Sequence, residues 1–406
     1  MTKYLIFPAP AYGHVNPTLA IAQELVRRGE QVIYYLTEEF QATIEATGAT
    51  FHPYQSTMGK MDPSARRLSN PTFSGDPNFM IRVMPLIRVK ECQQVIPQVL
   101  EHIRAEQPDV ILYDPMCLWA RIVAQILQVP AILLCPTYVS NEHFHFKVYR
   151  SLISQSASSG LFEDLQSDLS DLCVLYHIPS LDIRDILTHT EALNIVFMPR
   201  AFHPAGETFD SRFLFVGPSI SLRQDAPAFP PDRSTSQPTL FISLGTAFNN
   251  RPDFFNLCLR AFGNQPWRVV MAYGKKIDVA ALDAVPPNFL LAPYVPQLEV
   301  LQQTSVFVTH GGMNSTMESL YFGVPMVVVP QMIEQGMTAR RCAELGLGVA
   351  LDPNTLTAET LRAAVEQVHH TPSFRQNVQD MQQTVRSAGG YQCAADAIIE
   401  FACSHR

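Results

Sequence analysis

At 406 residues the chain exceeds what one hydrophobic core usually organises, so two domains are the starting expectation. Apolar residues make up 47% and charged residues 16%, the latter below the roughly 25% of average soluble domains, so the surface should be only moderately charged. With 29 Lys plus Arg against 37 Asp plus Glu, the net charge of -8 offers no basic footprint for a polyanion, and nucleic acid is not an expected partner.

The first predicted element is a strand, "KYLIFP". It reads as a strand rather than a leader because prolines cut the apolar run and no small-residue cleavage pattern follows. Asn16 then reads as an N-cap and Pro17 as the first helical residue, with "TLAIAQELVRR" at helical spacing until Gly29. "QVIYYLT" is the next strand. From about Tyr54 to Val89 the pattern loosens as Pro, Gly, Ser and Met accumulate, which suggests a ligand-binding loop. Strand rhythm returns in "PDVILYD" and "VPAILLCP", and "NIVFMP" and "FLFVGP" close the first half. Residues 219–238, rich in Pro, Ser and charge, read as an interdomain linker. A second series follows: "TLFISLG", "WRVVMAYG", "NFLLAPYV", "SVFVTHGG" and "VPMVVVPQ". The expected fold class is α/β, two doubly wound halves facing across a cleft, at residues 1–218 and 239–385, with a helix over 386–406. Eight scattered cysteines without a C-x-x-C pair suggest neither a zinc site nor a disulfide framework and fit a reducing cytoplasm. No apolar run approaches the roughly 18 residues of a membrane span, so no integral membrane contact is expected.

Doubly wound sheets collect ligands beyond the carboxyl ends of their strands, where strand order reverses. In the first half this rim carries "APAYGHVNP" and the "DP" after "VILY", which puts His14 and Asp114 at strand ends of one sheet. A His beside a helix N-terminus is biased toward its neutral form, and a carboxylate on its other nitrogen would fix the tautomer, so His14 could act as a general base oriented by Asp114. Equally, His14 could cap the following helix and Asp114 could begin a turn. In the second half, Gly311 and Gly312 let backbone approach a ligand, and a helix opening near Asn314 makes an anion site. His310, Asn314 and Ser315 could hold phosphate oxygens. Glu318 either closes a capping box with Ser315 or reaches ribose hydroxyls. Glu334 and Gln335 suit sugar hydroxyls or a plain polar helix start. Ser243, Gly245 and Thr246 in "SLGT" could add phosphate contacts or form a tight turn.

"THGGMNSTMESLYFGVPMVVVPQMIEQ" with "YVPQLEVL" resembles the nucleotide-sugar signature of family 1 UDP-glycosyltransferases, and "FPAPAYGHVNPTLAIAQEL" resembles their acceptor-side motif. The likeness continues through "VILYDP", "EALNIVFMPRAF", "FLFVGPS" and "LFISLGTAFN", and is greatest to the bacterial macrolide-glycosyltransferase subgroup. It implies a GT-B fold, two Rossmann-like domains, and an inverting, metal-independent transfer that needs no cofactor beyond the UDP-sugar donor. By matching position, His14 is the base and Asp114 its partner. Tyr294, Val295 and Gln297 meet the uracil and ribose region. His310, Gly312, Asn314 and Ser315 hold the diphosphate, Glu318 the ribose, and Glu334 with Gln335 the sugar. Tyr294 and Met313 stand where plant members carry Trp, which leaves dTDP-sugars open beside UDP-sugars. The helix over 386–406 is implied to return to the N-terminal domain.

"NFMIRVMPLI" and "TYVSNEHFHFKVY" are rich in Met, Phe, Tyr and His. With Tyr12 they nominate Phe79, Met84, Tyr138, Phe144 and Phe146 as the wall of an apolar acceptor pocket, though the same spacing also describes plain core. The expected partners are a nucleotide sugar and a small lipophilic acceptor such as a flavonoid, another phenol or a macrolide, with the chain a monomer or weak dimer. A nucleotide-sugar 2-epimerase, a lipid-acceptor transferase and a noncatalytic sugar-nucleotide binder are the alternatives. A Rossmann dehydrogenase is disfavoured, since "PAPAYGHVNP" has one glycine where G-x-G-x-x-G needs three.

Overall fold

Short β-branched and aromatic runs bounded by Gly and Pro become strands buried on both faces, as parallel sheets covered by helices require. The computed structural model describes residues 1–58, 77–144, 160–183, 186, 188–221, 237–246 and 249–405, with backbone alone for 77–84 and 160–162. Residues divide into two units, Met1–Ser221 with Ala388–Arg406, and Leu222–Ser387. Most of the 219–238 segment lies outside the described residues.

In the first unit the elements run β1 (Lys3–Phe7), α1 (Tyr12–Arg27), β2 (Gln31–Leu36), α2 (Gln41–Glu45), β3 (Thr50–Pro53), α3 (Pro77–Glu106), β4 (Val110–Tyr113), α4 (Leu118–Leu127), β5 (Ala131–Cys135), α5 (Gly160–Leu175), β6 (Leu193–Val196) and β7 (Phe213–Phe215). These seven strands form one sheet in the order β3-β2-β1-β4-β5-β6-β7, and every pair is parallel. Alternate strand residues Tyr4, Ile6, Tyr34, Leu36 and Leu112 face Ile21 and Leu25 of α1, the period-2 pattern meeting a helical stripe.

The second unit holds β8 (Thr239–Ser243), α6 (Pro252–Phe262), β9 (Arg268–Ala272), β10 (Phe289–Ala292), α7 (Gln297–Leu301), β11 (Val306–Thr309), α8 (Met313–Phe322), β12 (Met326–Val328), α9 (Ile333–Glu344), β13 (Gly348–Ala350), α10 (Ala358–His370) and α11 (Pro372–Ser387). Its six strands are also parallel, in the order β10-β9-β8-β11-β12-β13. Leu240 and Ile242 pack with Phe255 and Leu259 of α6 and with Leu361 and Val365 of α10. The last helix, α12 (Gly390–Ser404), belongs to the first unit, where Ala394, Ala395, Ile398, Phe401 and Ala402 join the core beside α1.

Four details differ from the sequence expectation. Helix α1 begins at Tyr12 with Ala11 as N-cap, so Asn16 is not a cap and Pro17 lies inside the helix. The His14 and Val15 amides already bond to the Ala11 carbonyl at 2.9 and 3.0 Å, which starts the helix before Pro17. Part of the loosened stretch is helix α3, whose internal Pro85 and Pro97 hide its period. Strands β3 and β13 were missed, being four and three residues long with little apolar content to mark them. The Ser315–Glu318 capping box does not form, because Gly312 is the N-cap and both residues lie within α8.

Candidate functional site

Strand order reverses between β1 and β4 in the first sheet and between β8 and β11 in the second. At such a switch point adjacent strands send their following loops in opposite directions and a crevice opens between them.

At the first reversal, Phe7 pairs with Tyr113, and the Asp114 amide donates to the Phe7 carbonyl at 3.0 Å. The residues just beyond are therefore side by side. Asp114 is 2% exposed. Its Oδ1 accepts from the Met116 amide at 2.8 Å, and its Oδ2 meets His14 Nδ1 at 2.6 Å. Asp114 thus begins a turn and meets the imidazole at once. His14 lies in the first turn of α1, and its side chain keeps about a third of its surface open, 30% against 3% for the carboxylate. In the neutral ring Nδ1–H donates to the carboxylate, which leaves Nε2 as the basic nitrogen.

Beneath this pair lie groups the sequence reading did not single out. Glu91, fully buried on α3, accepts from the Ser56 hydroxyl and from the amide and hydroxyl of Thr57. Arg88, one turn earlier, donates to the Ile186 carbonyl at 3.0 Å and to Met116 Sδ at 3.0 Å. One turn of α3 therefore ties together the loops after β3 and β4 and the approach to β6. A buried Arg-x-x-Glu in an apolar run was the available signal, because such charges are almost never buried unless partnered. Tyr54 is buried nearby, and burial drives its phenol well above its usual range.

Of the nominated acceptor residues, Tyr12 is exposed, its ring edge-on to Phe40 at 5.0 Å. Tyr138 is buried, with its ring near Phe144, Phe202 and His203. The His203 imidazole donates from Nε2 to the Val139 carbonyl at 3.0 Å and accepts from the Ala205 amide at 3.2 Å. Phe79 and Met84 fall on α3 where backbone alone is described, and Phe146 lies outside the described residues.

At the second reversal, Thr309 pairs with Ser243 and brings the "SLGT" loop against His310. The glycines are explained by that ring. A Cβ on Gly245 would stand 2.6 Å from His310 Cε1, and one on Gly312 would stand 2.4 Å from Nε2. Gly245 and Gly311 also hold φ of +72 and +80, where other residues strain. Burial pushes the His310 imidazole down to about 4, outweighing a favourable contact with the Ser243 backbone, so the ring is neutral at pH 7. Among the described residues its buried Nδ1 has no partner in hydrogen-bond geometry.

Helix α8 starts directly after these glycines and has no side-chain cap, so its positive end faces the same loops. Gln297, at the start of α7, donates from Nε2 to Glu318 Oε2 at 2.6 Å and to Ser315 Oγ at 3.2 Å. Gln297, Ser315 and Glu318 thus form one cluster, with Glu318 buried. Asn314 stands on the first turn of α8 beside them. Val295 is buried, while Tyr294 and Thr246 are exposed. Glu334 and Gln335 open α9, which approaches the same turn: a Cβ on Gly311 would meet the Gln335 carbonyl at 3.3 Å. Asn249, Arg251 and Gln331, not anticipated from sequence, complete the loops. Asn249 donates to the Gly245 carbonyl at 2.7 Å. Among the described residues no group of three or more His, Cys, Asp or Glu could hold a metal ion, and no helix is long and apolar enough to cross a membrane.

Residues 260–400 match the model of the erythromycin biosynthesis protein CIII-like C-terminal domain. The NDP-glycosyltransferase YjiC of Bacillus licheniformis is 44% identical across 98% of this chain and 96% of its own length. Demethyllactenocin mycarosyltransferase of Streptomyces fradiae is 32% identical across 98% of this chain and 86% of its own. Among solved structures, the calicheamicin glycosyltransferase CalG4 superposes with a TM-score of 0.82 at 32% identity, covering 99% of this chain and 98% of that one. Full-length identity at this level, two switch-point sites and two parallel doubly wound sheets lead to one assignment: the chain belongs to the bacterial family 1 nucleotide-sugar glycosyltransferases of GT-B fold.

Proposed function

We propose that the protein moves a hexose, with glucose the first choice, from a UDP-sugar to a hydroxyl of a small lipophilic acceptor such as a flavonoid, another phenol or a macrolide. The transfer is inverting and needs no metal. His14 removes the acceptor proton as oxygen attacks the anomeric carbon, and Asp114 orients the imidazole and stabilises the imidazolium. The observation carrying this reading is the 2.6 Å contact between His14 Nδ1 and a buried Asp114 at the switch point of the first sheet. A positioned base contributes about 10²- to 10⁴-fold to such a step. Negative charge grows on the departing UDP, and the uncapped start of α8 with neutral His310 supplies preorganised donors for it. Glu318 and Gln297 take the ribose side, and Glu334 with Gln335 the sugar. Relatives named for demethyllactenocin and calicheamicin support the acceptor class.

The test incubates the protein with UDP-glucose, UDP-N-acetylglucosamine and dTDP-glucose against phenolic and macrolide panels, with and without EDTA, and reads products by mass. A glycosylated product that persists in EDTA is expected. No product with any pair, with UDP still bound, would favour a noncatalytic binder. An isomerised UDP-sugar formed without acceptor would favour an epimerase.

A further inference from the structure

The loops after β8 and β12 meet through side chains that the transferase reading leaves unused. Arg251, just before α6, donates from Nε and Nη2 to Asp253 at 2.9 and 2.6 Å, and from Nη1 to Gln331 Oε1 at 2.7 Å. The buried Gln331 donates from Nε2 to the Val329 carbonyl at 2.9 Å, so both ends of its carboxamide are committed. Its backbone N–H donates to Gln335 Oε1 at 2.7 Å. A backbone N–H can only donate, so the Gln335 carbonyl must turn inward and its NH₂ group outward. That Nε2 makes no hydrogen bond to a described residue. Freed of this network, a glutamine side chain can present either end of its amide and pays rotamer entropy to choose one.

We infer that Arg251 and Gln331 are positioning residues that lock Gln335 as a hydrogen-bond donor toward the transferred sugar, with the Glu334 carboxylate as the acceptor beside it. The inference rests on the transferase reading and deepens it. A donor next to an acceptor fits the hydroxyls of a neutral hexose, which accept from the amide and donate to the carboxylate. A uronic acid would set its own carboxylate against Glu334. The guanidinium acts at a distance, through the Gln331 side chain, on the loop that aims the Gln331 amide.

Because UDP lacks the sugar, it separates this role from general damage to the site. Calorimetric titration of UDP and of UDP-glucose into the unaltered protein, Arg251→Met and Arg251→Lys provides the comparison. The expected result is roughly tenfold weaker UDP-glucose binding in Arg251→Met, the scale of one hydrogen bond to the sugar, with UDP changed by less than about twofold. Arg251→Lys, which keeps a donor for Gln331, should recover most of the loss. Gln331→Met, which removes the acceptor for Arg251 and leaves the Asp253 pair, should reproduce the selective loss if Arg251→Met does not fold. Equal weakening of both ligands, or unchanged UDP-glucose binding, overturns the inference while leaving the transferase reading standing. Failure of the unaltered protein to bind UDP at all overturns both.

Discussion

His310 is fixed by what surrounds it. Two glycines stand where any Cβ would strike the ring, and burial keeps the imidazole neutral, so it can serve as a fixed donor but not as a cation. His14 has the opposite setting, an open ring on a buried carboxylate. These settings predict a division of labour. His310→Ala should weaken UDP binding, whereas His14→Ala should leave it within about twofold and cut transfer by about 10²- to 10⁴-fold. Titration with UDP beside product formation separates the two, and loss of UDP affinity in His14→Ala would count against the assignment. Phenols are already far more acidic than alkanols, so His14→Ala should damage alkanol acceptors more; equal residual rates on matched pairs would sink that claim. Gly312→Ala pushes a methyl into the His310 ring and should cost about 1–3 kcal/mol of stability by overpacking. Combining it with His310→Ala should recover part of that cost, since the two changes share one space.

Helix α12 shows how a distant segment becomes core. Its Ile398 is fully buried beside α1, and Arg28 of the α1 C-cap bonds both Glu24 and Asp396. Ile398→Ala should therefore destabilise the first unit by about 2–5 kcal/mol despite lying near the end of the chain. Urea denaturation followed by the buried Trp119 in a Trp267→Phe background tests this, and a change below about 0.5 kcal/mol would place the residue outside the core. Legibility followed the strength of local signals. "KYLIFP", "PDVILYD" and "SVFVTHGG" were readable as strands because their apolar residues are continuous and end in turn formers; the candidate site residues Asp114 and His310 follow two of them directly, and His14 opens the helix after the first. Helix α3 was not readable, since Pro85, Pro97 and mixed charges mask its period. The capping box failed because the Gly312 backbone already turns into the helix, which leaves Glu318 for Gln297. Arg88 and Glu91 offered one faint signal, charges inside an apolar run, and Arg251 and Gln331 offered none, because the bonds that tie their loops together join residues far apart in sequence and leave no motif.

Across the whole molecule, acid should act on the two units in different pH windows. His310 in the second unit falls from an ordinary 6.5 to about 4 on folding, and Glu24 in the first falls from 4.5 to about 2, held by Arg27 and Arg28 against its burial. In both cases the unfolded chain binds a proton that the folded chain refuses, so each contribution is complete above the unfolded value and is lost as pH falls through the folded one. Stability carried by His310 should decline from about pH 6.5 toward 4, and that carried by Glu24 from about pH 4.5 toward 2. The chain holds two tryptophans, Trp119 in the first unit and Trp267 in the second, and both are buried. Trp119→Phe and Trp267→Phe variants therefore leave one reporter in each unit. Urea midpoints read by Trp267 should begin to fall at a higher pH than those read by Trp119, and His310→Ala should flatten the decline of the Trp267 signal between pH 6.5 and 4 while leaving the Trp119 signal below pH 4.5 in place. An unchanged Trp267 slope in His310→Ala would show that the buried imidazole is not the group being charged.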